Sequence, residues 1–187
     1  LNNETLSLIT SFLPAPETED LIAGLSREDQ TVILESLPDD VVADVIQEAD
    51  KQQQQTYFGL LSKKKKHVAE TLLEYPEDSA GGRMTTAFAT LREDMTIRQA
   101  IEALEVTKED AETLARIYVV DEENRILGKV RLRDLTFNSR STVIREVMDH
   151  EKLAIRAQDD QEEAMKMMVK YDMIALPVID NDNRLLG

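Results

Sequence analysis

Residues 118–128 read YVVDEENRILG and residues 177–187 read PVIDNDNRLLG. Six of the eleven positions are identical, so one structural unit is written twice. The correspondence runs upstream as well. Met84-Thr85 aligns with Met148-Asp149 at a spacing of 64 residues, and the same spacing pairs Thr96 with Asp160, Ala100 with Ala164, Ile101 with Met165 and Leu104 with Met168. Further on the spacing falls to 59, because the first copy carries five more residues around 107–112. A length change between a helix and a strand is absorbed by a loop. A unit of about 60 residues is too small to bury its own sheet well, whereas two packed together can.

Each copy spells the same elements. A short strand comes first, over 88–91 and again over 153–156. An amphipathic helix follows, with Ile97, Ala100, Ile101 and Leu104 at i, i+3, i+4 and i+7. A buried strand over 117–120, or 175–179, leads into a tight acidic turn ending in Asn-Arg. The first copy then returns along Ile126, Leu127, Gly128, Lys129 and Val130 and adds a short helix over 132–137. The β-α-β-β-α order is thus complete once, and the second copy reaches Gly187 one strand and one helix short.

Residues 1–74 have another texture, with apolar residues at helical spacing and brief polar breaks. Leu25-Ser26-Arg27-Glu28-Asp29 returns twelve residues later as Leu37-Pro38-Asp39-Asp40, and a third break falls at Leu61-Ser62-Lys63. Ser26 reads as an N-cap with Asp29 at N3, and Pro38 suits a first turn. Val42, Val45, Ile46 and Ala49 form one stripe. The pattern predicts a right-angled stack of short helices, a small superhelix. Pro76 and the pair Gly81-Gly82 then mark a junction.

Composition excludes several chemistries. There is no cysteine, and only His67 and His150 supply imidazole, which leaves no basis for a thiolate metal site, a zinc centre or a His-based triad. No nucleophile–base constellation exists, so an enzyme is not expected. With 37 acids against 22 bases the net charge is −15, a field that repels nucleic acid and anionic lipid and attracts cations. No stretch approaches the ~18 apolar residues of a membrane span. The start at Leu1 reads as a cut point, and the piece is expected on the cytoplasmic side. The Lys63–Lys66 run reads either as a solvated helix face or as a contact for lipid headgroups. The Met165, Met167, Met168 and Met173 group reads as flexible core, and both histidines as surface residues.

Two clusters of acids carry the cation reading. Asp40 and Asp44 stand one helical turn apart, where like charges cost a few tenths of a kcal/mol unless a cation compensates. Asp159, Asp160, Glu162 and Glu163 crowd a helix start, and Asp172 follows that helix. Magnesium takes hard oxygen ligands and keeps much of its water, so one or two carboxylates per surface suffice. Acids in a first turn also complement the helix dipole, which by itself accounts for Asp40.

The duplicated unit resembles a CBS-domain pair, or Bateman module, whose returning strand runs G-h-h-[ST]-x-x-D, where h is apolar. Here it is Gly128-Lys129-Val130-Arg131-Leu132-Arg133-Asp134, with Arg131 in place of the hydroxyl residue. With the junction Tyr75-Pro76-Glu77-Asp78-Ser79-Ala80-Gly81-Gly82-Arg83-Met84-Thr85 and the acidic helical region before it, the whole chain resembles the cytosolic half of the MgtE magnesium transporters. The fold implied is α+β and multidomain: an all-α superhelical N domain over 1–74, a junction over 75–83, a first CBS unit over 84–146 and a second, cut short, over 147–187. The resemblance implies further turns before Leu1, and a plug helix and membrane channel domain after Gly187. It makes Asp40, Asp44, Asp160, Glu162 and Asp172 magnesium ligands. Asp20 matches a further N-domain acid, in a register that the twelve-residue period leaves ambiguous. It also implies an ATP or AMP site with Asp134 on the ribose and Arg133 beside it, a homodimer through the CBS units, and the protein's own membrane domain as partner. The function implied is a magnesium sensor in which the ion bridges N and CBS domains and closes the pore. The other reading is an adenine-nucleotide-sensing CBS module that regulates another protein, with the helical domain as a docking scaffold.

Overall fold

The computed structural model describes residues 10, 13–107 and 113–187. The chain divides after Tyr75 into two compact units. The extra turns expected before Leu1, and most of the five-residue excess at 107–112, lie outside the described residues.

Among the described residues the first unit is built from α1 (Ala15–Ala23), α2 (Arg27–Ser36), α3 (Asp39–Glu48), α4 (Lys51–Leu60) and α5 (Lys63–Leu72). Every start is twelve residues after the last, so the period read from Leu25 and Leu37 runs through all five. From α2 onward the corner that repeats has two residues. Leu37, Ala49 and Leu61 end their helices in extended backbone and bury their side chains. Pro38, Asp50 and Ser62 follow as N-caps. Asp50 Oδ1 accepts from the N–H groups of Gln52 and Gln53 at 2.9 and 2.8 Å, and Ser62 Oγ from that of Lys65 at 3.4 Å. Ser26 Oγ likewise accepts from Asp29 N at 3.2 Å, as its position required. An extended residue turns the chain sharply, and the cap satisfies the next helix's free N–H groups. The stripe Val42, Val45, Ile46 and Ala49 is buried, and α3 packs against α1, α4 and α5. Each such side chain contributes about 1.5–3 kcal/mol if fully buried.

The lysine run is not one solvated face. Lys63 and Lys64 are exposed, but Lys65 folds back, its Nζ donating to the carbonyls of Glu35 (2.9 Å) and Leu37 at the end of α2. A cation there complements the negative end of that helix.

The second unit holds both repeats. In the first, β1 (Phe88–Arg92) pairs in parallel with β2 (Thr113–Val120) across α6 (Ile97–Thr107). β2 then pairs antiparallel with β3 (Ile126–Val130), with Val119 opposite Gly128, and α7 (Leu132–Phe137) and α8 (Ile144–Val147) follow. In the second, β4 (Ile155–Arg156) and β5 (Val178–Ile179) are parallel, with α9 (Gln161–Lys170) between them. β4 and β5 are shorter than the sequence pattern, and β2 is longer. Leu91, Ile97, Ala100, Ile117, Val119 and Val130 fill the first repeat's core.

The stretch that betrayed the repeat is where the copies meet. In each turn an Asp folds the backbone onto itself. Asp121 Oδ1 accepts from the N–H groups of Glu123 (3.0 Å) and Arg125 (2.8 Å), and Asp180 Oδ1 from those of Asp182 and Arg184, both at 2.8 Å. Asn124 and Asn183 follow at φ 63° and 62°, a left-handed conformation that Asn tolerates. The turns then bond to each other: Ile126 N to Asn183 O at 3.2 Å, and Leu185 N to Asn124 O at 2.9 Å. Tyr118, Val120, Ile126, Ile179 and Leu185 form a small core across this seam.

Candidate functional site

Asp40 and Asp44 lie on α3, Asp40 half-buried in the first turn and Asp44 exposed one turn later. Neighbouring Asp39 has Lys65 Nζ 3.6 Å from its Oδ1. Asp20 is exposed on α1. In the second unit Asp160 is the N-cap of α9, its Oδ1 accepting from Glu162 N at 2.7 Å. Glu162 and Glu163 occupy the first turn, exposed, and Lys166 Nζ sits 2.8 Å from Glu163 Oε1, which raises the lysine's pKa. Asp172 stands beyond the far end of the same helix, at φ 51° and exposed.

These positions separate Asp160 from Asp172. α9 has ten residues, about 15 Å of helix. Direct magnesium–oxygen bonds are about 2.1 Å, so within one chain a single ion directly ligates only one of the two. Among the described residues no three His, Asp or Glu side chains form a group that could hold a metal. Asp160 and Glu162 remain adjacent, with carboxylates facing water.

The nucleotide pair has a structural duty. Asp134 is at N3 of α7, and its Oδ2 accepts from Arg131 N at 3.1 Å, closing the first turn. Arg133 Nε is 3.7 Å from Asp134 Oδ1, with the guanidinium exposed. Elsewhere in this unit a groove of about 800 Å³ is lined by Phe88, Tyr118, Met165, Met168, Asp172 and Met173, among others, and neither Arg133 nor Asp134 lines it. Phe88 and Tyr118 meet edge to face there, 6.5 Å apart. Three of the four methionines read as core, Met165, Met168 and Met173, therefore border open space: Met165 is 59% exposed, and no residue of α9 is buried.

One ionic group escaped the sequence reading. Lys129 is buried on β3, its Nζ 2.8 Å from Glu151 Oε2 and 3.6 Å from Asp149 Oδ2. The Glu151 N–H, donating to Asp149 Oδ1 at 3.0 Å, holds that carboxyl below its usual pKa, with Lys129 aiding. Gly128 permits the approach, since a Cβ there would lie 2.2 Å from Asp149 O. The returning-strand glycine was the only sequence signal for this contact.

The family model for the MgtE intracellular N domain matches residues 1–78, and that for the CBS domain matches 80–140 and 144–187. A crystal structure of the cytosolic domain of the Mg2+ channel MgtE in complex with ATP is 34% identical, covers all of this chain and 82% of its own, and superposes with a TM-score of 0.81. The chain belongs to the MgtE family. It corresponds to that family's cytosolic part, a helical N domain followed by a CBS pair. A crystal structure of the soluble part of a magnesium transporter agrees, at 29% identity over the full chain and 78% of its own, with a TM-score of 0.86. The magnesium transporter MgtE of Thermus thermophilus is 34% identical over the full chain, and that of Bacillus subtilis 26% over 95% of it. This MgtE chain spans 45% and 42% of those two relatives. Among its described residues no helix is long and apolar enough to cross a membrane.

Proposed function

We propose that the chain is the cytosolic magnesium sensor of an MgtE-type transporter, lying on the cytoplasmic face of the membrane, with the protein's own membrane domain as its partner. Ions shared between acids of the helical unit and acids of the CBS pair favour the closed pore. The carrying observation is that both units are acidic and both expose carboxylates. The helical unit has 14 acids against 6 bases, and the CBS unit 23 against 16. Such bodies repel, and screening by monovalent salt is partial within a ~10 Å Debye length. A cation held by both binds the compact form preferentially and shifts the equilibrium by that differential affinity. Asp40, Asp44, Asp160 and Glu162 are the acids this reading uses, with Asp20 and Asp172 as separate contributors. Asp40→Asn and Asp160→Asn each remove one charge at nearly constant shape. Small-angle scattering of each should show a weakened compaction by millimolar magnesium. Unchanged magnesium titrations in both variants would remove these two residues from the sensor.

A nucleotide reading rests on the related MgtE domain solved with ATP. Asp134→Asn retains an oxygen to cap α7 while removing the charge that would face a ribose. Calorimetry with ATP and AMP should give a weaker heat for the variant, and equal heats would end the assignment. The CBS pair is also proposed to dimerise, supported by Phe137, Val169 and Ile174, apolar and 86%, 78% and 66% exposed. A single monomer species in sedimentation at high concentration, with and without magnesium, would exclude it.

A further inference from the structure

The segment before the first repeat does not behave as a linker. Three main-chain hydrogen bonds tie residues 78–81 to the start of the second repeat's helix. Gln161 N donates to Asp78 O at 2.8 Å, Ala80 N to Asp159 O at 2.7 Å and Gly81 N to Ala157 O at 2.8 Å, and Ser79 bridges Asp160. The 64-residue spacing carries this set onto a second one. Ile97 N donates to Thr142 O at 2.9 Å, Ile144 N to Met95 O at 2.9 Å and Arg145 N to Glu93 O at 3.1 Å, and Val143 bridges Thr96. Each repeat is thus held by the segment that precedes the other. The two clasps differ in what enters them: the first receives the chain arriving from the helical unit, through Tyr75-Pro76.

The first clasp is also reinforced. Ser79 is 3% exposed, and its Oγ donates to Pro76 O at 2.6 Å while accepting from Gly82 N at 3.1 Å. Gly82 has no room for a side chain, since a Cβ would lie 2.2 Å from Pro76 O. Arg83 reaches Gln161 Oε1 at 3.2 Å and Glu77 Oε1 at 3.1 Å. The amide of Gln161 and the carbonyl of Asp159 flank the residue whose carboxylate caps α9, Asp160.

We infer that the Ser79–Gly82 clasp is a coupling element, transmitting the state of the Asp160–Glu162 carboxylates to the point where the helical unit joins the CBS pair. An ion on Asp160 orders the backbone on either side of it, and those same peptide groups make two of the clasp's three main-chain bonds. The matching clasp at 142–145 holds Thr96, which carries no charge, and therefore serves as an internal control. The inference rests on the magnesium reading above, and the experiment separates the two.

Hydrogen exchange of single amides, followed by NMR on the whole chain in magnesium chloride and in sodium chloride of equal ionic strength, tests it. Magnesium should slow exchange at Ala80, Gly81 and Gln161 and leave Ile97, Ile144 and Arg145 unchanged. Ser79→Ala should speed the first three by roughly three- to tenfold, the loss of one or two hydrogen bonds, and blunt compaction by magnesium. Arg83→Gln, which leaves the main chain intact, should do both more weakly and covers the case in which Ser79→Ala fails to fold. If magnesium compacts the parent while all six amides respond alike or not at all, the coupling is wrong and the sensor stands. If magnesium neither compacts the parent nor slows any amide, the sensor reading falls and takes the coupling with it.

Discussion

Single residues in this chain owe their behaviour to a few named neighbours. Tyr57 is fully buried among the helices of the first unit, and its hydroxyl donates to Glu19 Oε1 at 3.1 Å. Burial first, with the nearby Glu19 carboxylate adding to it, pushes its pKa up to about 12. A raised pKa means that the unfolded state loses the proton first. Its contribution is whole below pH 10 and is lost as the pH climbs toward 12, on the order of 2 kcal/mol across the window. Thermal melts followed by helicity at pH 9 and pH 11 should show that loss in the parent and a smaller one in Tyr57→Phe. An equal loss in both would mean that other groups govern alkaline unfolding. Sequence pattern had no access to this pair, because 38 residues separate its members. It did reach Ser26, whose capping bond to Asp29 is local and carries a residue-type signature.

The same division between side-chain and main-chain information holds for elements. The helices were legible because each twelve-residue turn of the stack repeats a capping residue after an apolar one. The duplicated strand, turn and returning strand were legible through Asp, Asn and Gly, each demanded by a backbone conformation or a close approach. The clasps were not, because peptide groups make them and nearly any side chain is compatible with a peptide bond's hydrogen bonds. Of the junction expected over 75–83, residues 76–83 fall within the second compact unit. The methionine stripe misled for another reason: helical spacing shows that a face is apolar, and here that face borders a groove. Gly128 tests the element-scale account. Gly128→Ala drives a methyl into the main chain of Asp149 and should destabilise the CBS unit by ~1–3 kcal/mol. The helical unit should melt as before in the same scan. A CBS unit that melts at the parent's temperature would show that the strand and the second repeat's start are not held at the spacing described.

At the scale of the whole molecule the governing quantity is charge. Two compact bodies, each with more acids than bases, share one chain of net charge −15. The fold and family were legible from end to end, through the repeat and the junction motif. The sequence already placed Asp160 at the start of a helix and Asp172 after it, but not the ten-residue length of α9 that keeps them apart. The central claim is that magnesium, and not ionic strength, draws the two bodies together. Small-angle scattering of the parent chain, with magnesium chloride titrated against sodium chloride at matched ionic strength, measures this directly. The account predicts a radius of gyration that falls in millimolar magnesium and stays near its starting value in the matched sodium salt. Equal contraction in both salts would contradict it and leave the acids as a solvated surface.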